Sequence, residues 1–160
     1  MSKLSKELVA ASREELGKPF QHHYKPLNLC EGGRITVDEC MEKGLGIEGY
    51  DCSGFVIASF CSVLGIRKDD WPRDYRHSYQ LTPFGEDREP QYGDVLLIDS
   101  QAENGYQYNT HMGIHIAPNR VVHANGKTKV VDEGEVMGVI TGIKVVDMGT
   151  LVTALATHIK

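Results

Sequence analysis

Tyr50-Asp51-Cys52-Ser53-Gly54-Phe55-Val56 sets a cysteine between an acidic residue and a small polar pair, directly ahead of an apolar run that continues to Leu64. The run places Phe55, Ser59 and Val63, with Val56, Phe60 and Leu64 alongside, on adjoining helix faces, and Gly65 ends it. A helix apolar on so many sides belongs in the middle of a core. Asp51 suits its N-cap, so Cys52 falls in the first turn. There the unpaired backbone N–H groups and the positive end of the macrodipole favour the thiolate, the nucleophilic form of the side chain.

Before this helix, Ser2 to Leu16 reads as an amphipathic helix with Leu4, Leu8, Ala11 and Leu16 near one face, closed by Gly17 and Pro19. No period of 2 or 3.6 persists from Phe20 to Gly49, and residues 21–49 read as an inserted loop region rich in glycine. After it, Arg67 to Arg88 is polar, with Trp71, Tyr75 and Tyr79 as aromatic anchors and a short helix expected through Tyr75 to Gln80. From Gly93 the pattern turns to strands: Val95 to Ile98, His111 to Ile116, Arg120 to Ala124, Thr128 to Val131 and Val139 to Val146. Pro118-Asn119 and Asn125-Gly126 supply turns for an antiparallel sheet joined by hairpins. Helices first and sheet second make a single α+β domain over 1–160.

Composition narrows the function. With 17 Lys and Arg against 22 Asp and Glu, a net charge of -5 offers no general attraction to nucleic acid or anionic lipid. The longest apolar run falls short of the ~20 residues of a membrane span. Met1 to Glu7 lacks the apolar core of a secretory signal, so cytoplasmic synthesis is the expectation. His22, His23, Cys30 and Cys40 are metal-ligand types without ligand spacing, and neither a metal nor a cofactor is expected.

A cysteine nucleophile needs a base, and the base needs one fixed orientation. His111 opens one strand and His123 lies in its neighbour, so one histidine can orient the other across the sheet. Gly113, on the face of His111, is expected to leave room for the cysteine helix or for substrate. Cys61, deep in the apolar helix, reads as a core residue. His115, His77 and His158 read as structural, with substrate contact open to His115.

The residues Asp51-Cys-Ser-Gly-Phe-Val56, Pro72-Arg73, Gly93-Asp94-Val95, His111-Met-Gly-Ile114 and Val121-Val-His-Ala124 resemble, in order, the NlpC/P60 cysteine peptidases that cut bacterial cell-wall peptides. The resemblance covers about residues 16–131. It implies a papain-like fold with the cysteine helix on an antiparallel sheet, Cys52 as nucleophile, His111 as base and acid, and His123 as the orienting member. It also implies a thioester intermediate and a peptidoglycan stem peptide as substrate.

Two departures stand out. Gly17-Lys-Pro-Phe20 carries phenylalanine where many members have a tyrosine near the cysteine, which makes Tyr24 or Tyr50 the candidate replacement hydroxyl, with Ser53 a further candidate at the oxyanion. The Phe20-Gln-His22 run is similar to members found with phage tails, so a phage-tail or secretion-apparatus partner would carry the protein to the cell wall. The alternatives are a CHAP-like amidase or other thiol acyl-transfer enzyme, and an assembly component that keeps the fold without turnover.

Overall fold

The computed structural model describes residues 3–18, 52–67, 70–75, 78–101, 111–125, 128, 130–135 and 139–158. Helix α1 spans Lys3–Arg13 and buries Leu8 and Val9. It is two to three residues shorter than its apolar period, because residues 14–17 form a turn that Gly17 completes at φ 88°. Helix α2, Cys52–Leu64, buries every residue from Ser53 to Cys61. Its one central hydroxyl is satisfied locally, since Ser59 donates to the Phe55 carbonyl at 3.1 Å. Gly65 adopts φ 68°, and the N–H of Ile66 returns to the Cys61 carbonyl at 3.1 Å, closing the helix as its sequence leads one to expect.

Two 3₁₀ segments follow, Arg73–Tyr75 and Ser78–Phe84, in place of the single short helix expected there. The six strands are β1 (Gly85–Glu86), β2 (Val95–Gln101), β3 (His111–Ala117), β4 (Arg120–Asn125), β5 (Val130–Glu135) and β6 (Val139–Val146). All pairings are antiparallel, in the order β1-β6-β2-β3-β4-β5. Hairpins join β2 to β5 in series, but β6 crosses back to lie between β1 and β2, a placement that the sequence did not reveal. The turn at Pro118-Asn119 is as expected, with Asn119 at φ 60°.

Helix α3, Met148–His158, is the last of the described elements. Asp147 caps it: its carboxylate accepts the Thr150 N–H at 3.2 Å and the Thr150 hydroxyl at 2.6 Å. Leu151 and Leu155, four apart, bury into the core. That core lies between α1, α2 and one face of the sheet, and includes Val95, Leu97, Met112, Ile114, Val122 and Ala124. The opposite face carries a smaller apolar cluster of Leu96, Ile98, Val121 and Val145. Among the described residues, no helix is long and apolar enough to cross a membrane.

The Gly93-Asp94-Val95 stretch fastens α1 to the sheet. Gly93 adopts φ 84°, and a Cβ there would lie 2.5 Å from the Ser5 carbonyl oxygen in α1. Asp94 is held by Arg88, whose two terminal nitrogens donate to its carboxylate at 2.9 and 3.2 Å, and by the Gln91 N–H at 2.7 Å. The same pairing raises the pKa of the Arg88 guanidinium.

Candidate active site

Cys52 is the first residue of α2 and is part-exposed, whereas Cys61 is buried among core side chains, in line with its reading as packing. Helix α2 packs against β3 and β4, the two strands that carry the histidines. Ser53 follows Cys52 in the first turn and is buried. Asp51, Tyr24, Tyr50, Phe20, His77 and the 21–49 insertion lie outside the described residues.

His111 and His123 meet. Nε2 of His111 is 2.7 Å from Nδ1 of His123, and the rings are edge to face with centroids 5.0 Å apart. The register explains the space they occupy. Strands β3 and β4 pair from Ala117↔Arg120 to Ile114↔Val122, and the rings meet just beyond the last of these pairs. His111 remains tied to β2 opposite Ile98.

On the face of the smaller apolar cluster a groove of about 620 Å³ runs over Leu96, Ile98, Val121 and Ile143, with His115 on its wall. Gly113 does not open this surface as its place in the sequence suggests. A Cβ there would lie 3.0 Å from the Val121 Cβ, so the small residue accommodates Val121.

The electrostatics favour neutral rings. Burial, followed by the neighbouring His123, pushes the pKa of His111 down to about 3. Burial also lowers His123, against the opposing pull of Asp132. At neutral pH the pair therefore holds two neutral imidazoles, each with one N–H and one lone pair. With Nε2 of His111 engaged by His123, Nδ1 is the nitrogen left to exchange a proton with a reacting group.

One neighbour of the pair has no counterpart in the sequence reading. Asp132 on β5 lies opposite His123, and its Oδ1 is 3.2 Å from Nε2 of His123. His115 contributes its backbone to the Gly93 junction, accepting the Gly93 N–H at 2.8 Å and donating to the Asp94 carbonyl at 2.8 Å. The His158 ring packs edge to face on Tyr75, a structural role. No cluster of side chains able to hold a metal ion occurs among the described residues.

Residues 40–148 match the model of the NlpC/P60 family. Among solved structures, the peptidoglycan hydrolase RipB from Mycobacterium tuberculosis superposes with a TM-score of 0.57 at 19% identity, over 91% of this chain and 65% of that one. The chain thus spans about two thirds of RipB. An N-acetylmuramoyl-L-alanine amidase from Bacteroides uniformis gives 0.57 at 14% identity, over 90% and 98% of the two chains. The NlpC/p60 domain of the peptidoglycan hydrolase SagA gives 0.50 at 19%, over 88% and 97%. These likenesses establish the fold. No curated protein matches the chain by sequence.

Proposed function

The chain belongs to the NlpC/P60 family, and from that premise we propose that it is a thiol hydrolase acting on the peptide part of bacterial peptidoglycan. The observation that carries this reading is the His111–His123 pair, held at 2.7 Å on strands against which the Cys52 helix packs. Two hydrolases of peptidoglycan and an amidase share the fold, which supports the substrate class.

In the proposed mechanism Nδ1 of His111 takes the Cys52 thiol proton, and the sulfur attacks an amide carbonyl. The thiolate formed beside the ring raises its proton affinity, so the low resting pKa of His111 does not prevent the transfer. Backbone N–H groups in the first turn of α2 hold the oxyanion. His111 then protonates the departing amine, which leaves a thioester on Cys52. A water that gives its proton to the same nitrogen hydrolyses the thioester and restores the thiol. His123 keeps the His111 ring in one orientation throughout.

Delivery to the wall by a phage tail or secretion apparatus belongs to the same proposal, carried only by the Phe20 to His22 run. The test is digestion of purified peptidoglycan fragments followed by mass spectrometry of the products, which names the bond cut. Cleavage of a stem-peptide bond that disappears in Cys52→Ala is the expected result. Equal cleavage by Cys52→Ala overturns the thiol mechanism, and exclusive cleavage between muramic acid and L-alanine moves the protein to the amidase class.

A further inference from the structure

His123 is almost completely buried, and its Nε2 makes no well-aligned hydrogen bond among the described residues. Buried ring nitrogens are rarely left so. Asp132 Oδ1, 3.2 Å away, is placed to satisfy it after a small ring rotation. The carboxylate is itself fixed: Thr128 donates its hydroxyl to Oδ2 at 2.6 Å, and Asn125 Nδ2 approaches the two oxygens at 3.3 and 3.4 Å.

We infer that Asp132 is a positioning residue that selects the proton arrangement of both histidines, so that Nδ1 of His111 carries the lone pair. A carboxylate can only accept, so it requires the proton of His123 on Nε2. The neutral ring then has its lone pair on Nδ1, which accepts from Nε2–H of His111 across the 2.7 Å contact. That leaves Nδ1 of His111 unprotonated. The reverse arrangement would put the proton of His111 on Nδ1 and leave that nitrogen without a lone pair to accept the thiol proton. One acid on β5 thus sets which nitrogen of a ring two strands away is the base.

The catalytic consequence rests on the thiol-hydrolase reading, but the proton positions do not, and the experiment separates them. Long-range ¹H–¹⁵N spectra of the full chain labelled at histidine report which nitrogen of each ring is protonated near neutral pH. Nε2–H is expected on both His111 and His123 in the unaltered chain. Asp132→Asn can turn its amide N–H toward His123, and a population with Nδ1–H on His123 is expected. Its kcat is expected to fall by roughly 10- to 100-fold, as for other orienting partners of an essential histidine, with KM little changed. Asp132→Glu is expected to restore the Nε2–H form and much of the rate.

Nδ1–H on His123 in the unaltered chain overturns the inference. So does an Asp132→Asn variant with unchanged ring protonation and unchanged kcat. Being isosteric, that variant decides the matter even where Asp132→Ala fails to fold. Absence of any peptidoglycan cleavage by the unaltered chain sinks the functional reading instead, while the spectra still test the role of Asp132.

Discussion

Nε2 of His111 and Nδ1 of His123 lie 2.7 Å apart, within hydrogen-bond distance, so altering either ring removes the partner of the other. His123→Phe keeps much of the ring volume and removes the acceptor. It is expected to lower kcat by about 10³–10⁴-fold, the scale seen when the orienting member of a triad is lost. His123→Gln keeps an acceptor and is expected to lose less. Steady-state kinetics on a defined stem peptide, with circular dichroism to confirm folding, makes the comparison.

The same pair predicts an acid-sensitive fold. The unfolded chain protonates His111 near its ordinary value of 6.5, whereas the folded chain resists until about 3. Below pH 6.5 the unfolded state therefore binds more protons, and the stability contributed by the neutral ring is lost as pH falls toward 3. His123, lowered in the same direction, adds to the effect. Thermal unfolding followed from pH 7 to pH 4 is expected to show a falling Tm, with a shallower fall in His111→Gln.

The two described cysteines are expected to differ in reactivity. Iodoacetamide on the native protein, followed by peptide mapping, is expected to alkylate part-exposed Cys52 well before buried Cys61. Cys61→Ala is expected to retain turnover, and Cys52→Ala to lose it.

Glycine substitutions separate backbone strain from collision. Gly17 has φ 88° with open space around a Cβ, so Gly17→Ala is expected to cost only the left-handed penalty of roughly 1–2 kcal/mol. Gly93→Ala combines that strain with overlap on Ser5, which adds a further 1–3 kcal/mol or so of overpacking. Denaturant melts of the two variants should differ clearly, and equal midpoints would contradict the Gly93–Ser5 contact.

Much of the fold could be read locally. The α2 run, the Gly65 stop and the Pro118-Asn119 turn each depend on a few adjacent residues, and all three hold. So does the pairing of the strands bearing His111 and His123. The position of β6 between β1 and β2 depends on competition among sheet edges, which no short stretch encodes. Helix α3 carries local signals of its own, namely Asp147 at the cap and Leu151 and Leu155 one turn apart. Asp132 was missed because the expected strand stopped at Val131, whereas β5 runs on to Glu135. Gly113 was misjudged because a glycine beside a candidate base can make room for a neighbour on the next strand as readily as for a ligand.

The return of β6 to the middle of the sheet also sets the order in which the molecule can be finished. As the chain leaves the ribosome, β3 and β4 can pair at once through their two-residue turn. The outer edge of β2 must wait for residues 139–146, about forty positions later. Until then Leu96 and Ile98 sit on an unpaired edge able to recruit strands from other chains. A transcript cut short before Val139 would thus yield a polypeptide that contains Cys52, His111 and His123 and is nonetheless prone to aggregate.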